Sequence, residues 1–323
     1  MSRPPAERPP GEGAPLERAP KAWEYPGLDA RLLKFVKREG QVGFRRRAHD
    51  IDDSGYVEIG GLKYMVLENI NSPRFSFTVP MGLNALFDRS CKAMGVVGAG
   101  GSVCFAGPVD VKNLESAGIT FDGGISSWGS VHAREGEIKG RGDIIAEQVK
   151  ARSNIGVYGS VSAQLVMSLD GFLSADSVRG EAILGSRGVL AMNGSLEYPN
   201  EANTDVRRIC LVWSRDGRIY SKGGIRTGSI CSSQDILTSE GDLQIEKDAF
   251  CISANIKGRV VNSKGEDAST NLYSRRGGQI LDEYDRKVMV PARDVDPDDL
   301  YRKVERSPFA WDRWEQYYTR YTD

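Results

Sequence analysis

Short apolar runs separated by polar turn residues dominate the middle of this chain. From about residue 56 to 265, β-branched and other apolar residues occur in runs of a few positions, divided by glycine, aspartate and serine. Such runs are typical of strands joined by tight turns. The residues before and after this region follow other patterns, so the sequence predicts a mainly β protein with flanking segments of a different kind.

The N-terminal flank divides into two parts. Residues 1–26 are rich in proline and charge, a composition that favours a disordered arm because it buries too little apolar surface. Residues 27–100 begin with apolar positions at helical spacing, which predicts a short basic helix followed by a leading β segment. Arg45, Arg46 and Arg47 follow the helix. We expect the helix either to pack on the body or to let these arginines contact acidic lipid or a partner protein.

The C-terminal flank, residues 266–323, is predicted to be a linker followed by an aromatic helical segment. Ser307-Pro308 forms a helix start signal before FAWDRWEQYYTRYTD. In that segment Trp311, Trp314, Tyr318 and Tyr321 recur at intervals of three and four residues and so share one helical face. This face either caps the last part of the β body or binds a partner.

A three-residue phrase, glycine followed by serine or aspartate and then valine, isoleucine or leucine, recurs along the β region. It begins at Gly101, Gly129, Gly142, Gly159, Gly194, Gly228 and Gly241. Between residues 142 and 191 apolar positions repeat every 17 residues in three phases: Ile144, Val161 and Val178; Val149, Val166 and Ile183; Ile155, Phe172 and Val189. A unit with three apolar phases predicts a parallel β-helix, or solenoid, over residues 101–265 with coils of about 17 residues. An antiparallel sandwich or barrel with glycine-rich turns is the alternative.

A second, longer repeat is superimposed on the 17-residue repeat. Residues 129–161 and 228–260 align without a gap at an offset of 99 positions. This alignment predicts that the solenoid body is internally duplicated.

The stretch GDIIAEQVKARSNIGVYGSVSAQLVMSLDGFLSA resembles the bactofilins, whose cores repeat similar glycine-containing phrases between tails that often carry proline. The resemblance covers roughly residues 100–265 and is best over 129–191. It implies a β-helix that polymerises end to end without nucleotide and serves as a cytoskeletal scaffold for envelope-associated proteins. It implies no catalytic residues.

Composition narrows the range of functions. Lysine and arginine number 43 against 44 aspartates and glutamates, so no overall field favours nucleic acid, and we expect none as a partner. There are two histidines, and five cysteines form no C-x-x-C pair, which gives little material for catalysis or a zinc site. The sequence shows no signal-peptide pattern, so we expect a cytoplasmic protein, with the basic segment at the inner face of the membrane.

The chemical motifs also favour structural roles. The loop starting at Asp50 resembles a calcium loop, but Gly61 stands where the bidentate glutamate belongs. The glycines at 98–101 lack the rest of a dinucleotide fingerprint, so they predict a turn. We therefore predict no metal, no cofactor and no catalytic residues. His132 is expected to be an exposed or half-buried strand residue.

The sequence thus predicts a non-catalytic structural scaffold that associates with itself, into a homo-oligomer or a filament, by stacking solenoid coils. The first alternative is a phage or appendage subunit that forms a closed oligomer. The second is a carbohydrate-acting β-helix enzyme, for which the candidate carboxylates are Asp143, Asp170, Asp176 and Asp242.

Overall fold

The described part of the chain is a parallel β-solenoid. The computed structural model describes residues 56–59, 62–67, 70–79, 81–87, 89–98, 100–198, 211–282, 284 and 286–293. They form about 11 turns with coils of about 18 residues. From β2 (Leu62–Leu67) to β29 (Gly278–Leu281), each strand pairs in parallel with the corresponding strand of the next coil, so the predicted β-helix is confirmed and the antiparallel sandwich is wrong.

Thirty strands build the described stack, and most contain only three or four residues. In chain order they are β1 (Tyr56–Ile59), β2 (Leu62–Leu67), β3 (Ile70–Val79), β4 (Asn84–Phe87), β5 (Cys91–Gly98), β6 (Val103–Phe105), β7 (Val109–Ser116), β8 (Ile119–Asp122), β9 (Ile125–Ser127), β10 (Ser130–Ala133), β11 (Ile138–Arg141), β12 (Ile144–Ile145), β13 (Gln148–Ala151), β14 (Ile155–Tyr158) and β15 (Ser160–Ser162). The remaining strands are β16 (Leu165–Ser168), β17 (Phe172–Ala175), β18 (Ser177–Arg179), β19 (Ala182–Gly185), β20 (Gly188–Ala191), β21 (Leu196–Glu197), β22 (Leu211–Ser214), β23 (Arg218–Ser221), β24 (Ile225–Thr227), β25 (Ser229–Ser239), β26 (Leu243–Ile245), β27 (Ala249–Val261), β28 (Leu272–Ser274), β29 (Gly278–Leu281) and β30 (Lys287–Val290).

Each coil contributes to three sheets, which the chain visits in a fixed order. Sheet 1 contains the first residues of β3, β5 and β7, then β9, β12, β15, β18, β21, β24, β26 and the end of β27. Sheet 2 contains the last residues of β3, β5 and β7, then β10, β13, β16, β19, β22, the first residues of β25 and β27, and β28. Sheet 3 contains β1, β2, β4, β6, β8, β11, β14, β17, β20, β23, the end of β25, the middle of β27, β29 and β30.

The hydrophobic core lies inside the coils, where residues of equal phase stack on one another. Ile144 pairs with Val161 and Val161 with Val178, all fully buried, as predicted. Val149, Val166 and Ile183 stack in the same way in sheet 2. These stacks confirm two of the three predicted phases, and they bury the apolar face that a single coil could not cover alone.

The third predicted phase is wrong by one residue. Ile155 pairs with Leu173, which is fully buried, whereas Phe172 points outward with 42% of its surface exposed. The corner before β17 contains one additional residue, so the backbone N–H of Phe172 bonds to Asn154, 18 positions earlier. Phe172 pairs with Gly188, and its ring lies beside the position that a Cβ of Gly188 would take, at 3.0 Å. The ring therefore covers the exposed backbone of that glycine.

The coils extend beyond the predicted body at both ends. Strands β2 to β5 precede residue 101 and already belong to the stack, and β28 and β29 continue it after residue 265. Residues 56–100 belong to the predicted leading β segment, in which the glycine phrase that marks the corners is absent. The predicted arm and basic helix lie outside the described residues, as does the aromatic segment. Within the described ranges, the only helical element is a 3₁₀ turn, Ser269–Asn271.

Polar corner side chains connect successive coils. Side-chain oxygens of Asn84, Asn113, Asp143, Asn154 and Asp242 each accept a hydrogen bond from a backbone N–H 17 or 18 residues later. The corners also require close backbone approach: Gly142 has φ of 102°, and a Cβ there would lie 2.6 Å from the Gly124 nitrogen. The glycine-aspartate phrase is thus a corner signature, with the glycine allowing the turn and the aspartate holding the next coil.

Candidate interaction surfaces

The two ends of sheet 3 are closed by strands of opposite direction. At the N-terminal end β1 pairs with β2 antiparallel, and at the C-terminal end β30 pairs with β29 antiparallel. The strands between β2 and β29 are mutually parallel, so β1 and β30 run in the same direction as each other. Both contain four residues. The two terminal strands therefore match in length and direction.

Strand β30 presents apolar side chains at the end of the solenoid. Val288 is 40% exposed and Met289 is 72% exposed, while Val290 is buried. Neighbouring residues of a strand point to opposite sides, so neither side of β30 is fully covered at these two positions. An exposed apolar edge strand favours pairing with another strand.

The turn before β30 is held by one aspartate. The Asp282 carboxylate accepts hydrogen bonds from the backbone N–H groups of Tyr284 and Arg286 and from the Arg286 guanidinium. The backbone hydrogen bond from Arg286 contributes most to lowering the pKa of Asp282 below its ordinary value. The Arg286 guanidinium also lies 5.0 Å from the centre of the Tyr284 ring. These contacts hold the turn that leads from β29 into β30.

The outer side of sheet 2 is apolar over four consecutive coils. In β16, β19, β22 and β25 the outward residues Met167, Leu184, Trp213 and Cys231 pair in register with one another. With Leu165, Leu169, Ala182 and Leu211 they form a hydrophobic cluster separate from the core inside the coils. We name this cluster the outer apolar strip. Its residues are 0–4% exposed, so sheet 2 is buried on both sides along this stretch.

Two basic groups continue the same outward column on its N-terminal side. His132 pairs with Lys150, and Lys150 pairs with Met167. Burial, and then the charges of Lys150 and Arg134, lower the pKa of His132 to about 4. Burial likewise lowers the pKa of Lys150. His132 is a half-buried strand residue, as predicted, and its imidazole is neutral at physiological pH.

The carboxylates considered for glycan chemistry each have a structural partner. Asp143 and Asp242 hold backbone N–H groups of the next coil, at 2.7 and 2.8 Å. Asp170 forms an ion pair with Arg152 at 2.9 Å, and Asp176 accepts a hydrogen bond from the Asn193 amide at 2.6 Å. None of these four contacts joins one carboxylate to another. A glycosidase instead needs two carboxyl groups facing the same bond.

A groove of about 570 Å³ lies on the outside of sheet 1 near the N-terminal coils. Lys92 and Asp110 form an ion pair at 2.9 Å within it, and Trp128 lies beside them with 64% of its surface exposed. Sequence reasoning did not single out these residues, because they belong to three different coils and share no motif. The groove offers a contact surface with one indole and one ion pair.

The residues that the sequence predicts as interaction surfaces are not among those that the structure describes. Arg45, Arg46 and Arg47, and Trp311, Trp314, Tyr318 and Tyr321, are outside the described residues. Their roles therefore stay predictions. The strand edge at β30 was not recognised from sequence, because Lys287–Val290 was assigned to a linker.

Comparison with known proteins found no match: no family model, no curated protein and no solved structure resembles the chain closely enough to report. Among the described residues there is no group of three or more histidine, cysteine or acidic side chains arranged to hold a metal ion. The described part of the chain also contains no helix long and apolar enough to cross a membrane.

Proposed function

We propose that this protein is a non-catalytic structural scaffold whose solenoids associate end to end. In this proposal β30 of one molecule pairs with β1 of the next, so that sheet 3 continues from one subunit into the following one. The observation that carries the proposal is the exposed apolar edge of β30 together with its match to β1 in length and direction. Strand pairing would satisfy the backbone groups of both edges.

The regularity of the body supports a mechanical role. About 11 coils at a strand spacing of roughly 4.8 Å give a rod of about 50 Å. Corner carboxylates and amides join coil to coil, so the polar groups most suited to chemistry serve the stack itself. A rod of this kind presents long, constant faces on which other proteins could be arranged.

We propose, as the resemblance to the bactofilins implies, a cytoskeletal scaffold built by end-to-end β-helix contacts. We further propose a cytoplasmic location. The basic segment at Arg45, Arg46 and Arg47 would hold the assembly near the inner face of the membrane or near envelope-associated proteins. Salt-sensitive binding to vesicles containing acidic lipid would support this part of the proposal.

A closed oligomer is the second candidate, and the shape of the ends favours it. Sheet 3 continues through β1 and β2 beyond the first strands of sheets 1 and 2, and through β30 beyond their last ones. The ends are therefore uneven, and an end-to-end contact confined to sheet 3 could curve into a ring.

The test compares three full-length proteins by light scattering and negative-stain electron microscopy in nucleotide-free buffer. The wild type should form filaments or long oligomers, and Met289→Lys should shift it to monomers, because a charge on an edge strand opposes pairing. Met192→Lys is the matched control, since Met192 is 46% exposed on the body and should leave assembly unchanged. A monomeric wild type would overturn the proposal, and closed particles of one size would support the second candidate.

A further inference from the structure

The groove on the outside of sheet 1 is lined by a column of polar side chains from four successive coils. Asn71 pairs with Lys92, Lys92 with Asp110, and Asp110 with Ser126. The residue before each of them is buried inside its coil, so these four side chains point outward and line the groove. Successive members lie about 4.8 Å apart. The column therefore presents an amide, an ammonium group, a carboxylate and a hydroxyl at regular intervals.

The indole of Trp128 stands beside this column on a fixed corner. The backbone N–H of Trp128 donates to the carbonyl of Val111 at 3.1 Å. The Ser127 hydroxyl donates to the carbonyl of Lys112 at 2.6 Å and accepts a hydrogen bond from the backbone N–H of Gly129 at 3.3 Å. The backbone around Trp128 is thus held while its side chain stays exposed. A ring on a rigid support loses little freedom when a ligand packs on it.

The groove offers side chains, and not backbone groups, to a ligand. Strand β5 pairs with both β3 and β7, and β7 also pairs with β9. Their backbone N–H and C=O groups are therefore used within the sheet. An extended peptide commonly binds by adding a strand to a free sheet edge, and the groove lies on a face where the strands are already paired. This arrangement disfavours a peptide ligand.

The charges of the groove cancel within it. Lys92 and Asp110 are the two charged groups among the described residues that line it, and they pair with each other at 2.9 Å. Nucleic acids and acidic lipids bind to surfaces with an excess of cations, so this groove disfavours both. Both side chains remain partly exposed, and each can form more hydrogen bonds than the one that joins them. An uncharged ligand rich in hydroxyl groups matches these properties.

We propose that the groove binds a neutral, linear oligosaccharide. A hexose ring has faces of C–H groups and a rim of hydroxyls. The C–H face of one ring packs on the exposed indole of Trp128, as apolar groups pack on aromatic rings. The hydroxyls donate to the Asp110 carboxylate, accept from the Lys92 ammonium group, and form hydrogen bonds with Asn71 and Ser126. The groove volume of about 570 Å³ is typical of ligand pockets.

The oligosaccharide runs along the column, parallel to the solenoid axis. In this direction successive sugar rings meet side chains of successive coils. Ser126 pairs with Ile145 of the following coil, and Ile145 is also exposed, so apolar surface continues beyond the groove. Asp110 is the one carboxylate among the described lining residues, whereas glycoside hydrolysis uses a pair. The groove therefore binds the sugar chain without cleaving it.

This site is independent of the proposed end-to-end association. The groove belongs to sheet 1, whereas the terminal strands β1 and β30 belong to sheet 3. Met289→Lys, the variant designed to stop assembly, should therefore bind the oligosaccharide as the wild type does. A failure of assembly and a failure of sugar binding are thus separate results.

The test titrates full-length proteins with maltohexaose, cellohexaose and chitohexaose, followed by calorimetry. The titration runs to about 10 mM, because binding to an open groove is weak. The wild type should bind at least one of the three. Trp128→Ala should weaken that binding at least tenfold, and Trp128→Tyr should weaken it less because it keeps a flat ring. Tyr158→Ala is the matched control, since Tyr158 is an exposed aromatic residue on sheet 3 and should leave the affinity unchanged.

Two results would overturn the proposal: no binding of any of the three sugars, or equal binding by the wild type and Trp128→Ala. Binding of an RNA strand or an acidic peptide in their place, lost in Trp128→Ala, would also contradict it. Acrylamide quenching of tryptophan fluorescence gives a second measurement that does not need the alanine variant to fold. A saturating sugar should reduce quenching of the wild type and not of Trp128→Tyr, and the same reduction in both proteins would place the sugar elsewhere.

Discussion

Asp143 and Asp242 lie 99 positions apart and perform the same structural task in different coils. The Oδ1 atom of Asp143 accepts a hydrogen bond from the backbone N–H of Ser160 at 2.7 Å, and that of Asp242 from Arg259 at 2.8 Å. In both cases the donor follows 17 residues later. The two aspartates occupy equivalent places in the aligned segments 129–161 and 228–260, and each holds a backbone N–H of the next coil.

Removing either corner acceptor should weaken the stack. Asp143→Ala and Asp242→Ala should each lower the free energy of unfolding by about 1 kcal/mol, because a backbone donor loses its partner. Asp143→Asn keeps an oxygen at the same place and should cost clearly less. Urea unfolding followed by circular dichroism measures these differences. Equal stability of Asp143→Ala and wild type would show that the corner bonds do not hold the coils.

Substitution by alanine should change the stability of the protein differently at two glycines of sheet 3 that lie in adjacent coils. A Cβ on Gly140 would clash with the backbone carbonyl oxygen of Phe121 and lie 2.6 Å from Cδ1 of its buried ring, whereas a Cβ on Gly156 would meet nothing within 4 Å. Gly140→Ala should therefore cost about 1–3 kcal/mol through overpacking, and Gly156→Ala should be neutral or slightly stabilising. Thermal unfolding of the two variants checks this pair. A similar melting temperature for both would contradict the packing described around Phe121.

The stacking of coils was predictable where corners keep a constant length. Ile144, Val161 and Val178 are separated by identical numbers of residues, so a count along the sequence places them correctly inside. The count fails at Phe172, because one additional corner residue moves Leu173 inward. It also fails before residue 101, where Ile70 pairs with Cys91 and the coil is longer. Corner length changes register without changing the local strand pattern, so periodicity alone cannot detect it.

The sequence contains a signal that sheet 2 is buried on both sides, but counting the 17-residue period does not use it. The strand LVMS of β16, AILG of β19 and LVWS of β22 are buried at every position and do not alternate. Continuous apolar runs indicate strands covered on both sides. The strand edges at β1 and β30 had no comparable signal, since antiparallel closure depends on where the stack ends and not on a local pattern.

His132 should make stability fall as the pH is lowered. Its pKa is about 4 in the folded protein against an ordinary value of 6.5, so the unfolded chain binds the proton more readily. A lowered folded-state pKa gives stability that is complete above pH 6.5 and is lost as the pH falls toward 4. At pH 5 the loss from this group should be about 2 kcal/mol.

The measurement compares wild type with His132→Gln by chemical unfolding at pH 7 and pH 5. Carboxylates titrate in both the wild type and the variant. The difference between their two losses of unfolding free energy is therefore due to the imidazole. The stability of the wild type should decrease more than that of the variant between the two pH values. The same decrease in both proteins would mean that burial and the charges of Lys150 and Arg134 do not hold the imidazole neutral.

Neighbouring residues Phe172 and Leu173 give the sharpest test of the corrected register. Leu173 is fully buried between Ile155 and Val189, so Leu173→Ala should cost about 2–5 kcal/mol by leaving a cavity inside the coil. Phe172 is 42% exposed and covers Gly188 from outside, so Phe172→Ala should cost about 1 kcal/mol. The strict 17-residue count places Phe172 inside and predicts the opposite order. Urea unfolding of the two variants decides between the two registers. The two positions are neighbours on the same backbone and differ only in the side of the strand that they face, so the order of the two losses shows which residue lies inside.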